Sequence, residues 1–175
     1  YSTNLLATRD WKYMALKANR DGKTKLYLIQ TSDNSLSTIE EVAADIIPIG
    51  WHDHYFAYQT TSSGPVWQNS RFAIKSYDAD SKSILTLDET KAEGTSDIDY
   101  AVESFGQVYV LDNELVYAKT WQSDYYSGGR IYGKKNSINS VLINSRDKRL
   151  VKEFEAKPSL SSYIDAKLYK PQELY

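Results

Sequence analysis

The chain has 175 residues and a formal net charge of −2, with 41% hydrophobic and 25% charged residues. This balance is typical of a folded globular domain and lies outside the regime of disordered chains. The absence of cysteine excludes disulfides, thiolate nucleophiles and cysteine-ligated metal centres. The sequence contains no run of about 18 apolar residues and no basic cluster interleaved with aromatics. It therefore predicts neither a membrane span nor a nucleic-acid partner.

Aromatic residues are the unusual part of the composition. The chain has 15 tyrosines and 4 tryptophans against a single methionine. Aromatic and β-branched side chains suit the pleated, half-buried surface of a sheet better than the surface of a helix. The composition therefore favours an all-β fold.

Two kinds of segment recur along the chain. The first is a polar turn that opens into an apolar strand, at residues 10–16, 53–58 and 112–117. The second is a hairpin, in which two strands flank a turn rich in Asp, Asn or Ser, at residues 26–39, 73–87 and 140–154. If Leu36, Ile84 and Leu150 are taken as equivalent, the repeats are 48 and 66 residues apart. Internal repeats with a period of about 40–50 residues are typical of propellers and solenoids.

Further apolar strands at residues 46–51 and 102–111 complete the repeating unit. Each unit then contains four antiparallel strands, A to D, as in the blade of a β-propeller. We therefore predict an all-β propeller segment of about three to four four-stranded antiparallel blades. The first unit is expected to contain strands B, C and D only. The predicted blade pieces are residues 1–41, 42–92 and 93–156, and the start of a further blade at 157–175.

Residues 9–33 resemble a TolB-type repeat. They combine the turn at Asp10, an apolar strand, the loop Asn19-Arg20-Asp21-Gly22 and a strand that ends near Asp33. The second unit departs from the family pattern, because His52-Asp53-His54 replaces the usual Ser-Pro-Asp-Gly turn. The resemblance implies a propeller that is exported, to the periplasm, cell envelope or extracellular space, and that binds proteins. The remaining blades would come from the rest of the protein or from a second copy.

Long segments between strands B and C predict where a ligand binds. Residues 60–71 and 121–135 carry aromatics beside glycine, and they should share a face with the acidic segment 95–99. We predict that this face binds a protein or peptide through aromatic anchors and acidic acceptors. The alternative is that the aromatics fold back and pack on the blade edges. The predicted binding residues are Trp67, Trp121, Tyr125, Tyr126, Tyr132, Asp97 and Asp99.

No motif in the sequence indicates catalysis or a cofactor. The turn His52-Asp53-His54 offers two metal ligands without a third, so a solvated turn is the preferred interpretation. Asp97 and Asp99 lack the frame of a calcium-binding loop. Nucleophile-elbow, phosphate-loop and zinc-peptidase motifs are absent. The sequence therefore predicts no catalytic residue, no metal and no cofactor.

Three functions remain open at this point. The leading one is a non-catalytic binding or scaffold module that recognises a protein or peptide. The second is the propeller domain of a prolyl-oligopeptidase-like peptidase, whose catalytic domain would lie outside this chain. The third is carbohydrate binding through exposed aromatic rings.

Overall fold

A computed structural model of the chain describes residues 4–62, 71–96, 99–126 and 130–155. Its regular elements are all strands, which confirms the all-β prediction. These residues include no helix long and apolar enough to cross a membrane. The strands are β1 (Leu5–Ala7), β2 (Tyr13–Arg20), β3 (Lys23–Gln30), β4 (Ser35–Val42), β5 (Asp45–His52), β6 (Tyr55–Ser62), β7 (Arg71–Asp78), β8 (Ser83–Glu89), β9 (Ala92–Ser96), β10 (Asp99–Leu111), β11 (Glu114–Tyr126), β12 (Arg130–Leu142) and β13 (Lys148–Glu155).

The strands form three antiparallel sheets in chain order. The first sheet contains β1 to β4, the second β5 to β8, and the third β9 to β13. The prediction that the first unit lacks its first strand is wrong, because β1 pairs with β2 from Leu5 to Ala7. The third sheet has five strands, because β9 pairs with β10 and adds an extra edge. Most of the acidic segment expected to be a loop is therefore strand.

Neighbouring sheets pack face to face, with their leading strands close together. Strand β5 contacts β1 of the first sheet and β10 of the third. Contacts of β5 with β3, of β6 with β4 and of β7 with β10 continue the two interfaces, as between adjacent blades of a propeller. The three sheets thus form the propeller-like segment that the repeats predicted.

Two apolar cores lie between the sheets. We call the side of a sheet that faces the preceding sheet its front and the opposite side its back. Because side chains alternate along a strand, Phe56 and Tyr58 point forward into the first core, where they meet Leu26 and Leu28. Ala57, between them, points back into the second core. The second core also contains Ile74, Leu87, Leu115, Tyr117, Val141 and Ile143.

Each sheet also repeats two local backbone features. The turns before β2, β6 and β11 each contain one residue in the left-handed region, namely Trp11, Asp53 and Asp112. Aspartate tolerates this conformation, whereas tryptophan rarely adopts it. The last strand of each sheet contains a β-bulge, and the extra residues are Ile39, Leu87 and Val151. These turns and bulges provide a common register for comparing the three sheets.

Candidate functional site

The structure describes some of the predicted binding residues but not others. Trp67 and Asp97 lie outside the described residues. Tyr125 and Tyr126 lie at the end of β11, and Tyr132 lies in β12 opposite Asp124. The prediction that residues 121–135 form a loop is therefore wrong, because β11 and β12 are 13 residues long and pair as far as Tyr126 and Arg130. Aromatic residues in this stretch favour strand.

Asp99 is the first residue of β10 and pairs with Ser96 of β9. The backbone thus places Asp99 in a strand rather than in the predicted loop. Asp97 lies outside the described residues. For these residues and the three tyrosines, a role in binding stays a prediction.

Trp121 is the predicted residue whose surroundings are visible. It is half-buried on the front of the third sheet, where it lines an open cavity of about 360 Å³ with Lys119, Lys135 and Ser137. Lys119 Nζ lies 3.2 Å from a carboxylate oxygen of Glu103. Trp121 therefore lies beside paired charges at the end of the sheets where sequence analysis placed the site.

A larger cavity lies at the opposite end of the sheets, among the turns that join first to second strands. Its volume is about 660 Å³, and all three sheets contribute to its wall. We call it the turn-face cavity. Its lining residues are Thr8, Arg9, Asp10, Lys12, Tyr13, Trp51, His52, Asp53, His54, Asp80 and Asp112.

Stacked aromatic rings support one side of the turn-face cavity. The rings of Tyr13 and Trp51 are stacked with centroids 6.2 Å apart, and Phe56 lies 4.9 Å beyond Trp51. The indole Nε1 of Trp51 donates a hydrogen bond of 2.9 Å to the backbone oxygen of Leu6. Packing on both sides and this hydrogen bond hold the indole in one position. The wall is therefore rigid, and it joins the first sheet to the second.

Asp80 provides a fixed negative charge at this wall. The hydroxyl of Tyr13 donates to Asp80 at 2.6 Å, and Lys12 Nζ lies 3.3 Å from the same oxygen. These two contacts hold the pKa of Asp80 below its ordinary value. Asp78 orients the turn, because it accepts hydrogen bonds from the backbone amides of Asp80 and Ser81. Because its pKa is lowered, Asp80 remains ionised at neutral pH.

Both histidines of the chain line the same cavity. His54 Nε2 lies 3.7 Å from Asp78, and Nδ1 lies 3.8 Å from Asp80. His52 Nε2 lies 3.5 Å from Asp53. The side chains of His52 and His54 are 30% and 35% exposed, whereas Asp53 between them is 77% exposed. Within the described ranges, no group of three potential ligands is arranged to hold a metal ion.

A large exposed aromatic side chain stands in the sequence between two lining residues, Asp10 and Lys12. Trp11 is 66% exposed in the turn before β2. The turn is held by Asp10, whose carboxylate accepts from Thr8 Oγ1 at 2.7 Å and from the amide of Lys12 at 3.0 Å. Because both contacts are local, Trp11 is presented on an ordered turn. The cavity and the turn that carries Trp11 can therefore offer both an apolar surface and charged groups.

The sequence patterns did not predict a site at this end of the sheets. They predicted binding at the opposite face, which carries the long segments between strands B and C. A usable signal was present, because Trp11 stands in a polar turn next to Asp10. The convergence itself was not visible, since Lys12 and Asp80 meet across 68 residues of sequence.

Comparisons with known proteins do not assign the chain to a family. No protein-family model matches the chain, and no curated protein matches it significantly. The similarity to TolB-type repeats therefore stays a prediction from the residues at positions 9–33. The cavities and their side chains carry the functional interpretation.

Proposed function

We propose that the chain is a non-catalytic binding module that holds a peptide or a protein segment at the turn-face cavity. The observation that carries the proposal is the convergence of turns from three sheets around one open cavity. The exposed Trp11 stands in one of these turns, between the lining residues Asp10 and Lys12. An open site of this kind accommodates side chains of an extended partner. The TolB-type resemblance supports the same class of function.

The side chains around the cavity suit a protein partner. Tryptophan is enriched among the residues that dominate binding energy at protein interfaces. Trp11 provides such an anchor, and the ordered Trp51 wall limits the entropy lost on binding. The ionised Asp80 and the adjacent Lys12 offer partners for charged or hydrogen-bonding groups of a peptide. The site therefore combines an apolar anchor with polar contacts that fix orientation.

Peptide-display selection tests this proposal. The chain would be immobilised and panned with a random peptide library, and synthetic copies of the selected peptides would be titrated calorimetrically. In Trp11→Asn, asparagine tolerates the left-handed backbone of the turn while the indole is removed. We expect this variant to bind about tenfold more weakly or worse.

Trp121→Ala is the matched control, because it removes an indole from the opposite end of the same sheets. We expect it to leave the affinity of the selected peptides unchanged within about twofold. Loss of binding in Trp121→Ala with unchanged binding in Trp11→Asn would move the site to the originally predicted face. Selected peptides that are indifferent to both changes, or a failure to select any peptide, would contradict the proposal.

A further inference from the structure

The interface between the first two sheets contains a polar contact beside the bulge of β4. Ile39 is the bulge residue, and Glu40 follows it on the back of the first sheet. The hydroxyl of Tyr58, on the second strand of the next sheet, donates to Glu40 at 2.6 Å. Lys75 pairs with the same carboxylate. We call this arrangement of a post-bulge acid, a tyrosine and a lysine the acid latch.

The interface between the second and third sheets repeats the acid latch. Leu87 is the bulge residue of β8, and Asp88 follows it. The hydroxyl of Tyr117 donates to Asp88 at 2.6 Å. Tyr117 lies in β11, which corresponds to β6 of the second sheet. Lys148 lies 2.9 Å and Lys119 3.5 Å from the carboxylate. Equivalent backbone positions thus supply the acid and the tyrosine at both interfaces.

The back of the third sheet has the same construction with the opposite charge. Its bulge residue is Val151, and Lys152 follows at the position of Glu40 and Asp88. Val151 is 52% exposed, whereas Ile39 is 8% and Leu87 5% exposed. On the same back face, but three strands away in β10, Tyr109 is 53% and Leu111 58% exposed.

We propose that the back of the third sheet docks a further antiparallel β-sheet whose second strand presents a carboxylate to Lys152. The carboxylate would occupy the position that Tyr58 and Tyr117 occupy in the two acid latches. The exposed bulge residue would then be covered as Ile39 and Leu87 are at the two established interfaces. Lys152 Nζ lies 4.8 Å from the centroid of the Phe154 ring. A ring does not neutralise an ammonium that loses its water, so the covering sheet is expected to supply the acid.

A second copy of this chain does not meet that requirement. The free face that it would offer is the front of the first sheet, where Leu16 stands at the position of Tyr58 and Tyr117. Its cross-strand neighbour is Tyr27, at the position of Lys75. Docking of a copy would therefore bury Lys152 against an aliphatic side chain. The occupant of the back face is a sheet with a different second strand.

A single substitution converts the chain into its own probe. Leu16→Glu places a carboxylate where the proposed partner should carry one, so that one molecule can dock on Lys152 of the next. We expect the unsubstituted chain to remain monomeric in sedimentation velocity and Leu16→Glu to associate head to tail. Its dissociation constant should be at least about tenfold lower than that of the neutral control Leu16→Gln.

The double variant Leu16→Glu/Lys152→Glu tests the pairing directly. We expect it to be monomeric, because two carboxylates would then face each other. Near-ultraviolet circular dichroism checks that each variant is folded, and Tyr27→Glu against Tyr27→Gln repeats the test at the neighbouring position. Association of the unsubstituted chain would assign the face to a second copy. Monomeric behaviour of both glutamate variants, or association that survives Lys152→Glu, would overturn the proposal.

Discussion

The two interfaces between sheets use the same acid latch but enclose it to different depths. The Glu40 side chain is 18% exposed and has Lys75 beside it, which is itself 19% exposed. The Asp88 side chain is 5% exposed and lies near both Lys119 and Lys148. A carboxylate that loses more solvent needs more compensating partners. The deeper latch accordingly gathers cations from two strands.

The difference also shows how a repeat tolerates sequence change. Asn139 in the third sheet stands at the register position of Lys75 in the second. The second latch therefore draws its lysines from β11 and β13 instead of from the strand after the tyrosine. Lys119 also contacts Glu103 at 3.2 Å and thus extends the network within the third sheet. The acid and the tyrosine repeat, whereas the source of the cation does not.

Replacement of Glu40 and Asp88 by alanine should reveal the largest difference in stability between the two interfaces. We expect Asp88→Ala to lower the free energy of unfolding by about 3 kcal/mol, because it leaves the buried Tyr117 hydroxyl without its acceptor and removes a carboxylate partner from Lys119 and Lys148. Glu40→Ala should cost about 2 kcal/mol, since the Glu40 carboxylate is more exposed and has one lysine partner. Urea denaturation measures both values. Equal costs would show that the depth of the acid does not determine the energy of the latch.

Removal of the tyrosine hydroxyls should have smaller and more similar effects. Burial, together with the acceptor Asp88, raises the pKa of Tyr117, and burial with Glu40 does the same for Tyr58, so both hydroxyls remain donors. Each donates to a carboxylate at 2.6 Å. We expect Tyr117→Phe and Tyr58→Phe each to cost about 1.5 kcal/mol in the same denaturation assay. A neutral result for either variant would exclude that hydroxyl as a stabilising partner.

Acid should weaken the latch formed by Asp88. Burial acts to raise the pKa of Asp88, but hydrogen bonds from Tyr117 and Lys148 outweigh it and hold the pKa below the ordinary value. A depressed carboxyl pKa stabilises the folded state above the unfolded pKa, and this contribution is lost as the pH falls through the folded pKa. The difference in free energy of unfolding between the unsubstituted chain and Asp88→Asn should therefore decrease below about pH 4.

Val141→Ala provides the reference for that titration. Val141 is fully buried in the same interface and has no titratable group. Its cost should remain constant over the pH range in which the effect of Asp88→Asn declines. A gap for Asp88→Asn that stays as constant as that for Val141→Ala would show that Asp88 does not stabilise the interface through its charge.

The sequence predicted the strands because the relevant signals are local. The alternation of apolar side chains and the polar turns before Tyr13, Tyr55 and Glu114 depend on neighbouring residues. At residues 121–135 the local signals gave a wrong prediction, because Gly128, Gly129 and Gly133 suggested a long loop. There, continuous pairing of β11 with β12 overrides the local signal.

The pairing across sheets was decided by the tertiary structure alone. Lys148 reaches Asp88 across 60 residues, and Tyr13 reaches Asp80 across 67. The β-bulges that aim Glu40 and Asp88 at the next sheet depend on register between strands, which composition does not encode. The sequence by itself thus determined that the chain forms repeated antiparallel sheets. Packing of those sheets determined which turns enclose a cavity and which charges meet, because both depend on distances between residues far apart in the chain.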